Sequence, residues 1–176
     1  MMQKLVLIFP GAGYGIDSPL LYYADFLFET KGYERKYMDY QNIVLNRELS
    51  IDEKKNQIRE YVCNEAKQMD LRSYEEIVFI SKSIGTVEAG WLAETMSIDA
   101  TQVYLTPVEE TLKYLDANSN VVIGTRDKAY NIIKNHCDNN EINALYIVGG
   151  NHSLEVDGKP YESIEVLKQV IQFIDR

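Results

Sequence analysis

Residues 77–85 read Ile-Val-Phe-Ile-Ser-Lys-Ser-Ile-Gly, and this stretch decides the fold. Its first four residues are apolar and largely β-branched, which predicts a strand buried on both faces. Ser83 then stands between that strand and a helix that we expect to begin near Ile84, with Ser81 two residues before it and Gly85 two residues after it. A buried strand that turns directly into a helix is typical of α/β proteins with a parallel sheet.

Similar apolar runs recur along the whole chain, and the segments between them are long enough to hold crossover helices. The runs are Leu5–Phe9, Val103–Leu105, Val121–Ile123 and Leu145–Val148, with a weaker one at Arg35–Tyr40. Together with the run before Ser83 they predict six strands in a mostly parallel sheet with helices on both faces. No repeat, linker or low-complexity segment interrupts them, so we expect residues 1–176 to form a single domain.

Helix signals fill the segments between these runs. Ser18 before Pro19 is typical of a helix start, and Ser50 with Glu53 fits a capping box. A repeat of apolar residues every three or four positions predicts a final helix that packs on the sheet. The expected helices run from Pro19 to a stop at Gly32, from Ser50 towards Met69, after Ser83, after Pro107, after Asp127 and over residues 164–174.

The composition excludes several functional classes. The chain has 18 Lys and Arg against 27 Asp and Glu, a net charge of −9, which opposes binding to nucleic acid or to an anionic membrane surface. Its two cysteines, Cys63 and Cys137, lack the paired spacing of a zinc site and cannot make a disulfide framework, so we expect a cytoplasmic protein. The apolar run at Leu5–Phe9 is too short for a signal peptide or a membrane span.

Ligands of open parallel sheets bind in the crevice outside the carboxyl ends of the strands. Residues suited to nucleophilic chemistry follow these ends in the order serine, acid and histidine. Four segments occupy the crevice: Pro10–Gly15, Ser81–Gly85, Gly124–Asp127 and Gly149–Ser153.

Ser83 has nearly the surroundings of a nucleophile elbow, the sharp strand-to-helix turn that lifts a serine clear of a sheet. Such a turn needs very small neighbours, and Ser81 stands where glycine is usual. The alternative interpretation is that Ser81 and Ser83 only cap the following helix. Asp127 and His152 argue against it, because they follow the fifth and sixth predicted strands in the order that this elbow requires.

Other carboxylates compete with Asp127 for the role of the acid. Glu109 and Glu110 follow the fourth strand closely, and Asp157 lies five residues after His152 in a Gly-containing turn. Asp127 is favoured because it directly follows a buried strand, which would hold its backbone rigidly. Gly149 and Gly150 before His152 would let the backbone swing out so that the imidazole reaches back over the sheet.

The glycines of residues 11–15 have three alternative uses. A dinucleotide site is one, but the sixth position of the G-x-G-x-x-G pattern is Ile16 and the helix begins late. A purely structural turn is another. The third is an oxyanion hole, in which the amides of Ala12 and Ile84 face the same carbonyl oxygen. Gly13, Tyr14 and Tyr130 would then lie close enough to contact a substrate.

On these segments the sequence resembles the α/β-hydrolase superfamily, and more narrowly its small, lidless esterases similar to dienelactone hydrolase. The resemblance implies Ser83 as nucleophile, Asp127 as acid, His152 as base, and the amides of Ala12 and Ile84 as oxyanion donors. Ser81 and Pro10 depart from the common pattern, and the usual first antiparallel strands have no room before Leu5. Residues 108–120 are too few for the cap domain that larger relatives carry after the fourth strand.

The resemblance therefore implies a serine hydrolase of carboxylesterase type, which cleaves a small ester or thioester through an acyl-enzyme without a metal or another cofactor. Its partner would be a small-molecule acyl substrate, whose identity the sequence leaves open together with the oligomeric state. Two alternatives stay open. One is a binding protein that keeps the fold without catalysis. The other is a nucleotide-binding domain that uses Gly11–Gly15, with Asp39 as the ribose partner.

Overall fold

A computed structural model describes residues 3–176 and contains a six-stranded sheet in the order β2-β1-β3-β4-β5-β6. Every pairing between neighbouring strands is parallel, which is more uniform than the mostly parallel sheet expected from the sequence. The strands are β1 Lys4–Phe9, β2 Glu34–Tyr37, β3 Glu76–Lys82, β4 Thr101–Leu105, β5 Ser119–Gly124 and β6 Asn143–Ile147. Their carboxyl ends share one edge, so the polar segments that follow them meet there.

Helices cover both faces of the sheet, as the sequence predicted. The α-helices are α1 Pro19–Thr30, α2 Gln41–Leu45, α3 Ile51–Gln68, α4 Ile84–Met96, α5 Tyr130–Asn139 and α6 Pro160–Ile174. Helices α1 and α6 pack on one face, against side chains such as Ile8 and Ile80. Helices α3, α4 and α5 pack on the other face, against side chains such as Phe79 and Ile123. No helix of residues 3–176 is long and apolar enough to cross a membrane.

The expected starts of α1 and α3 are correct, although their caps differ. Ser50 and Glu53 form the predicted capping box, with each side chain bonded to the other's backbone amide. Ser18 precedes α1 as expected, but its side chain makes no capping hydrogen bond. Helix α1 ends at Thr30, just before Gly32, whose φ of +77° suits a residue without a side chain.

The helix expected after Pro107 is a short 3₁₀ helix and not an α-helix. Residues Glu109–Tyr114 make a 3₁₀ helix, because this short connection is held against α4. The Tyr114 ring packs directly on Gly90 of α4, where any larger residue would overlap it. The hydroxyls of Thr86 in α4 and Thr111 in the 3₁₀ helix share a 2.6 Å hydrogen bond.

Two strands end earlier than expected, and two short helices were not expected. Strand β6 ends at Ile147, so Val148 lies outside it and is exposed. Strand β2 ends at Tyr37; Met38 and Tyr40 are buried beyond it, in the connection to α2. Helix α2 and a 3₁₀ turn at Leu71–Ser73 lack the long apolar periodicity that reveals helices in a sequence.

Candidate active site

Ser83 lies in a strained turn between β3 and α4. Its φ of 55° and ψ of −122° are unfavourable for a residue with a side chain, and this strain lifts it out of the strand direction. The Ser83 amide donates to the carbonyl oxygen of Leu105 at 3.0 Å, which fixes the turn to β4. A Cβ at Gly85 would lie 2.5 Å from the carbonyl oxygen of Phe9, so the turn requires glycine there.

Ser81 fits the position where glycine was expected. Its side chain is buried, and its hydroxyl donates to the carbonyl oxygen of Val103 on the neighbouring strand at 3.1 Å. The hydroxymethyl group therefore has both space and a partner, and it does not crowd Ser83.

Ser81→Gly should lower the free energy of unfolding by about 1 kcal/mol, because it removes this hydrogen bond and frees the unfolded backbone. Activity should stay within roughly tenfold of wild type, since the turn itself is unchanged. Urea unfolding and ester hydrolysis measure the two effects. A complete loss of activity in a folded Ser81→Gly protein would give Ser81 a chemical role.

The structure brings Ser83, His152 and Asp127 into one line of hydrogen bonds. His152 Nε2 is 2.8 Å from Ser83 Oγ, and His152 Nδ1 is 2.6 Å from Asp127 Oδ2. The other carboxylate oxygen of Asp127 accepts from the amide of Ala129 at 2.9 Å. The Asp127 side chain is 3% exposed, whereas that of His152 is 48% exposed and open to the crevice.

The charge of Asp127 sets the tautomer of His152. Burial acts to raise the pKa of the Asp127 carboxyl, but the hydrogen bonds from His152 and Ala129 and the positive charge of Lys82 hold that pKa below its ordinary value. An ionised carboxylate can only accept, so Nδ1 of His152 donates to it. Nε2 is then left with a lone pair directed at the Ser83 hydroxyl.

The segments that carry Asp127 and His152 are bonded directly to each other. The amide of Arg126 donates to the carbonyl oxygen of Gly150, and that of Gly149 to Thr125 Oγ1, each at 2.9 Å. A Cβ at Gly124 would lie 2.1 Å from the carbonyl oxygen of Gly150, so this approach requires glycine. The acid and the histidine therefore have a common support.

Asn151 fixes the start of the His152 loop. Its side-chain oxygen accepts from the amides of Ser153 at 2.8 Å and Glu155 at 3.1 Å, while its amide group donates to Asp157. Asp157 also pairs with Arg126 at 3.1 Å. Asp157 thus has partners of its own, and His152 is not among them.

The carboxylates that follow β4 also lie apart from this line. Glu109 and Glu110 are exposed in the 3₁₀ helix and make no recorded hydrogen bond or ion pair within residues 3–176. Asp127 is the predicted acid that contacts the imidazole.

The two amides expected to form an oxyanion hole belong to Ala12, in the loop after β1, and to Ile84, directly after Ser83. Neither the amide of Ala12 nor that of Ile84 donates a hydrogen bond to another residue in the part of the chain that the structure describes. The two loops approach closely, because a Cβ at Gly11 would lie 3.2 Å from the Cβ of Ser83. Gly11 and Tyr14 close a tight turn in which the Gly11 amide donates to the Tyr14 carbonyl oxygen at 3.0 Å.

Tyr40 and Gln41 support this loop and were not expected to do so. The Tyr40 hydroxyl donates to the carbonyl oxygen of Pro10 at 2.8 Å, and the Gln41 side-chain amide donates to that of Gly11. In a trans peptide the C=O and N–H point in opposite directions. Gln41 therefore orients the Ala12 amide by holding the carbonyl of the same peptide group. These contacts span 30 residues, so no local sequence signal could have revealed them.

The three predicted substrate contacts have different surroundings. Tyr14 is half-buried and lines an open groove of about 580 Å³ with Leu20, Leu154 and Val156. Its hydroxyl accepts from the amide of Leu20 at 3.0 Å. Gly13 is exposed and faces open space.

Tyr130 begins α5 and packs edge-to-face on Tyr146, with ring centroids 5.9 Å apart. It belongs to the core under α5 and does not line the groove beside Tyr14. Within residues 3–176, no cluster of three or more histidine, cysteine, aspartate or glutamate side chains has the arrangement of a metal site.

No protein-family model and no curated protein sequence matches the chain. Several solved structures resemble it closely in fold. Est1E from Butyrivibrio proteoclasticus superposes with a TM-score of 0.61 at 14% identity, covering 99% of this chain and 90% of that one.

Two further solved structures are at least as similar. A protein from Xanthomonas campestris pv. campestris, provisionally assigned to the alpha/beta superfamily of hydrolases, superposes with a TM-score of 0.68 at 12% identity. The match covers 97% of this chain and 99% of that one. A protein from Agrobacterium tumefaciens, of unknown function and provisionally called an alpha/beta hydrolase, superposes with a TM-score of 0.69 at 13% identity. The match covers 99% of this chain and 85% of that one. With its parallel sheet and the sharp turn at Ser83, this chain has the α/β-hydrolase fold, in a small form whose described residues include no cap domain.

Proposed function

We propose that this protein is a serine hydrolase that cleaves a small ester or thioester through an acyl-enzyme. The observation that carries the proposal is the continuous line of hydrogen bonds from Ser83 through His152 to the buried Asp127. A serine hydroxyl is a weak nucleophile at neutral pH, and a base held by a third group is what makes it reactive.

In the first half of the reaction, Ser83 Oγ attacks the acyl carbonyl carbon while its proton moves to His152 Nε2. The imidazolium that forms is stabilised by the ionised Asp127 on its other nitrogen. The tetrahedral intermediate then collapses. The bond to the leaving alcohol or thiol breaks, His152 returns the proton to the leaving atom, and Ser83 is left acylated.

In the second half, water replaces the leaving group. The water oxygen attacks the acyl carbon while His152 takes a proton from the water. When the new tetrahedral intermediate collapses, the bond to Ser83 Oγ breaks and His152 returns that proton to Ser83 Oγ. The products are a carboxylic acid and the free enzyme.

The amides of Ala12 and Ile84 are the proposed donors to the oxyanion in both halves. Two preorganised donors stabilise negative charge most strongly where it develops, and amides fixed by the backbone need no rearrangement during the reaction. Neither amide has a hydrogen-bond acceptor among residues 3–176, and Gln41 holds the peptide group of Ala12; both observations support this role.

The open crevice suits small, water-soluble substrates. The exposed imidazole and the absence of a cap in residues 3–176 leave the serine accessible without the opening of a lid. The neighbour Est1E has a structure with ferulic acid bound, so aromatic acids belong with short aliphatic ones in a first substrate screen.

A fluorophosphonate probe tests the proposal, because it phosphonylates a serine only where a base activates that serine. Intact mass should show one added phosphonate on the wild type and none on Ser83→Ala. Ser73→Ala is the matched control, since Ser73 is exposed before β3 at the opposite edge of the sheet, and it should label as fast as the wild type. A folded wild type that neither labels nor hydrolyses p-nitrophenyl esters would instead indicate a binding protein that keeps this fold.

A further inference from the structure

Lys82 stands directly before Ser83, and its charge is buried. Alternation along β3 puts its side chain on the same face as Val78 and Ile80, which belong to the core under α1 and α6. Lys82 is 1% exposed. Burying an ammonium is costly unless it is fully bonded, and a methionine would fill the same space without that cost. The surroundings of Nζ therefore indicate what the charge is for.

The Lys82 ammonium has three polar or aromatic neighbours. Nζ donates to Thr106 Oγ1 after β4 and, at 2.7 Å, to the main-chain carbonyl oxygen of His152 after β6. The ring of Tyr14 lies on a further side, with its centroid 5.0 Å from Nζ. An ammonium has three N–H donors and no acceptor, so this set of two oxygens and an aromatic face fits the charged form.

The hydrogen bond from Lys82 Nζ fixes the main chain of His152, the residue whose imidazole must reach Ser83. Lys82 is the one recorded donor to the His152 carbonyl within residues 3–176, while the other hydrogen bonds of this loop involve Asn151 and its neighbours. The His152 side chain is half exposed, so packing does little to fix its position. The backbone bond from Lys82 therefore adds to the Asp127 bond in keeping Nε2 within reach of the serine.

We propose that Lys82 is a positioning residue, which as an ammonium holds the main chain of His152 so that its imidazole stays in hydrogen-bonding contact with Ser83. This rests on the proposed hydrolase function. Lys82 touches neither the substrate nor the reacting atoms; it acts through His152. The nucleophile turn and the histidine loop, which are 70 residues apart in sequence, are thereby joined by one side chain.

The charge of Lys82 makes this hold dependent on pH. Burial lowers the pKa of Lys82 to about 8, although the negative charge of Asp127 opposes that shift. Of the other titratable groups that face this cluster, burial raises the pKa of Tyr14, and the pKa of Asp127 is lowered, so neither titrates near pH 8. The remaining titratable groups near the Lys82 ammonium are His152 itself and Glu155, whose negative charge also raises the pKa of Tyr14. Above pH 8 a neutral amine donates more weakly, and the hold on His152 loosens.

Lys82→Met and Lys82→Arg test the proposal through kinetics measured from pH 6 to 10. The wild-type kcat/KM should fall above pH 8. Lys82→Met should lower kcat by about ten- to a hundredfold with KM within about threefold, and should lack the alkaline fall. Lys82→Arg stays charged throughout, so it should recover most of kcat and keep it at pH 10. Lys128→Met is the matched control; it removes an exposed positive charge beside Asp127 and should retain the wild-type profile.

A Lys82→Met protein with wild-type kcat and an unchanged alkaline fall would overturn the proposal. Equally low kcat values in Lys82→Arg and Lys82→Met would also overturn it. Such a result would mean that restoring the positive charge has no effect, as expected if Lys82 only fills space.

Hydrogen exchange on the wild type tests the hold without using activity. The amides of Ser153, Leu154 and Glu155 are hydrogen-bonded in this loop. After the exchange rates are corrected for the intrinsic effect of pH, these amides should lose protection between pH 7 and 9.5. Amides of α3, far from Lys82, should not change. Constant protection of the loop would overturn the inference even if Lys82→Met fails to fold. If the loop responds to pH but the fluorophosphonate does not label Ser83, the proposed hydrolase function fails, while the charge-dependent bond from Lys82 to the His152 loop is still supported.

Discussion

Ser83→Ala should lower kcat by about 10⁴-fold or more, which is the largest effect that we expect from any single substitution. The change removes the atom that attacks the acyl carbon, and no other hydroxyl is recorded in contact with His152 Nε2 in residues 3–176. What remains is the contribution of substrate binding and of the two free amides. The measurement is hydrolysis of p-nitrophenyl esters together with phosphonate labelling followed by mass.

The fold should survive this substitution, which keeps the kinetic result interpretable. Alanine at φ 55° is about as strained as serine, so the free energy of unfolding should change by less than about 1 kcal/mol. Ser83→Gly is the matched variant. It should lose the same activity while raising the stability by about 1 kcal/mol, because glycine adopts this backbone without strain. Retention of a tenth of the activity in Ser83→Ala would exclude Ser83 as the nucleophile.

Much of the fold could be predicted because buried parallel strands leave a strong signal. Runs such as Leu5–Phe9 and Val121–Ile123 are apolar at every position, since both faces of the sheet are covered. The elbow followed from the same logic, because Ser83 comes directly after such a run. The α/β-hydrolase fold expected from the resemblance is confirmed by the solved structures that superpose on the chain.

The places where the expectation was wrong depend on packing between distant segments. Residues Glu109–Tyr114 form a 3₁₀ helix because they lie tightly on α4, and that contact at Gly90 has no local signature. The roles of Tyr40 and Gln41 likewise depend on where α2 meets the loop after β1. A sequence reveals such contacts only once the sheet order is known.

Lys82 is different, because its signal was present in the sequence. Alternation from Val78 and Ile80 places position 82 on a buried face, where a lysine is unexpected. The partners of its ammonium come from three other loops, so only the structure reveals them. The geometry around Ser83, Asp127 and His152 agrees with the roles assigned to them, and these roles stay predictions until the variants are measured.

Asp127→Asn should lower kcat by about 10³- to 10⁴-fold at neutral pH, with little change in KM. The asparagine amide can donate to Nδ1 of His152, which favours the tautomer that carries its proton on Nε2. That tautomer cannot accept the proton of Ser83. Asparagine also removes the charge that stabilises the imidazolium, so both functions of the acid are lost while the shape of the site is kept. The measurement is the steady-state kinetics of ester hydrolysis.

Glu109→Gln and Asp157→Asn are the matched controls, because each replaces a carboxylate by its amide close to the same sheet edge. Glu109 is exposed and makes no recorded contact with His152, so its variant should change kcat by less than about tenfold. Asp157→Asn weakens the bonds to Arg126 and Asn151 and should have an effect of similar size. If Glu109→Gln proves far more damaging than Asp127→Asn, the acid is Glu109, and the bond between Asp127 and His152 only supports the loop. Ser83 and His152 would keep their proposed roles in that case, since neither depends on which carboxylate holds the imidazole.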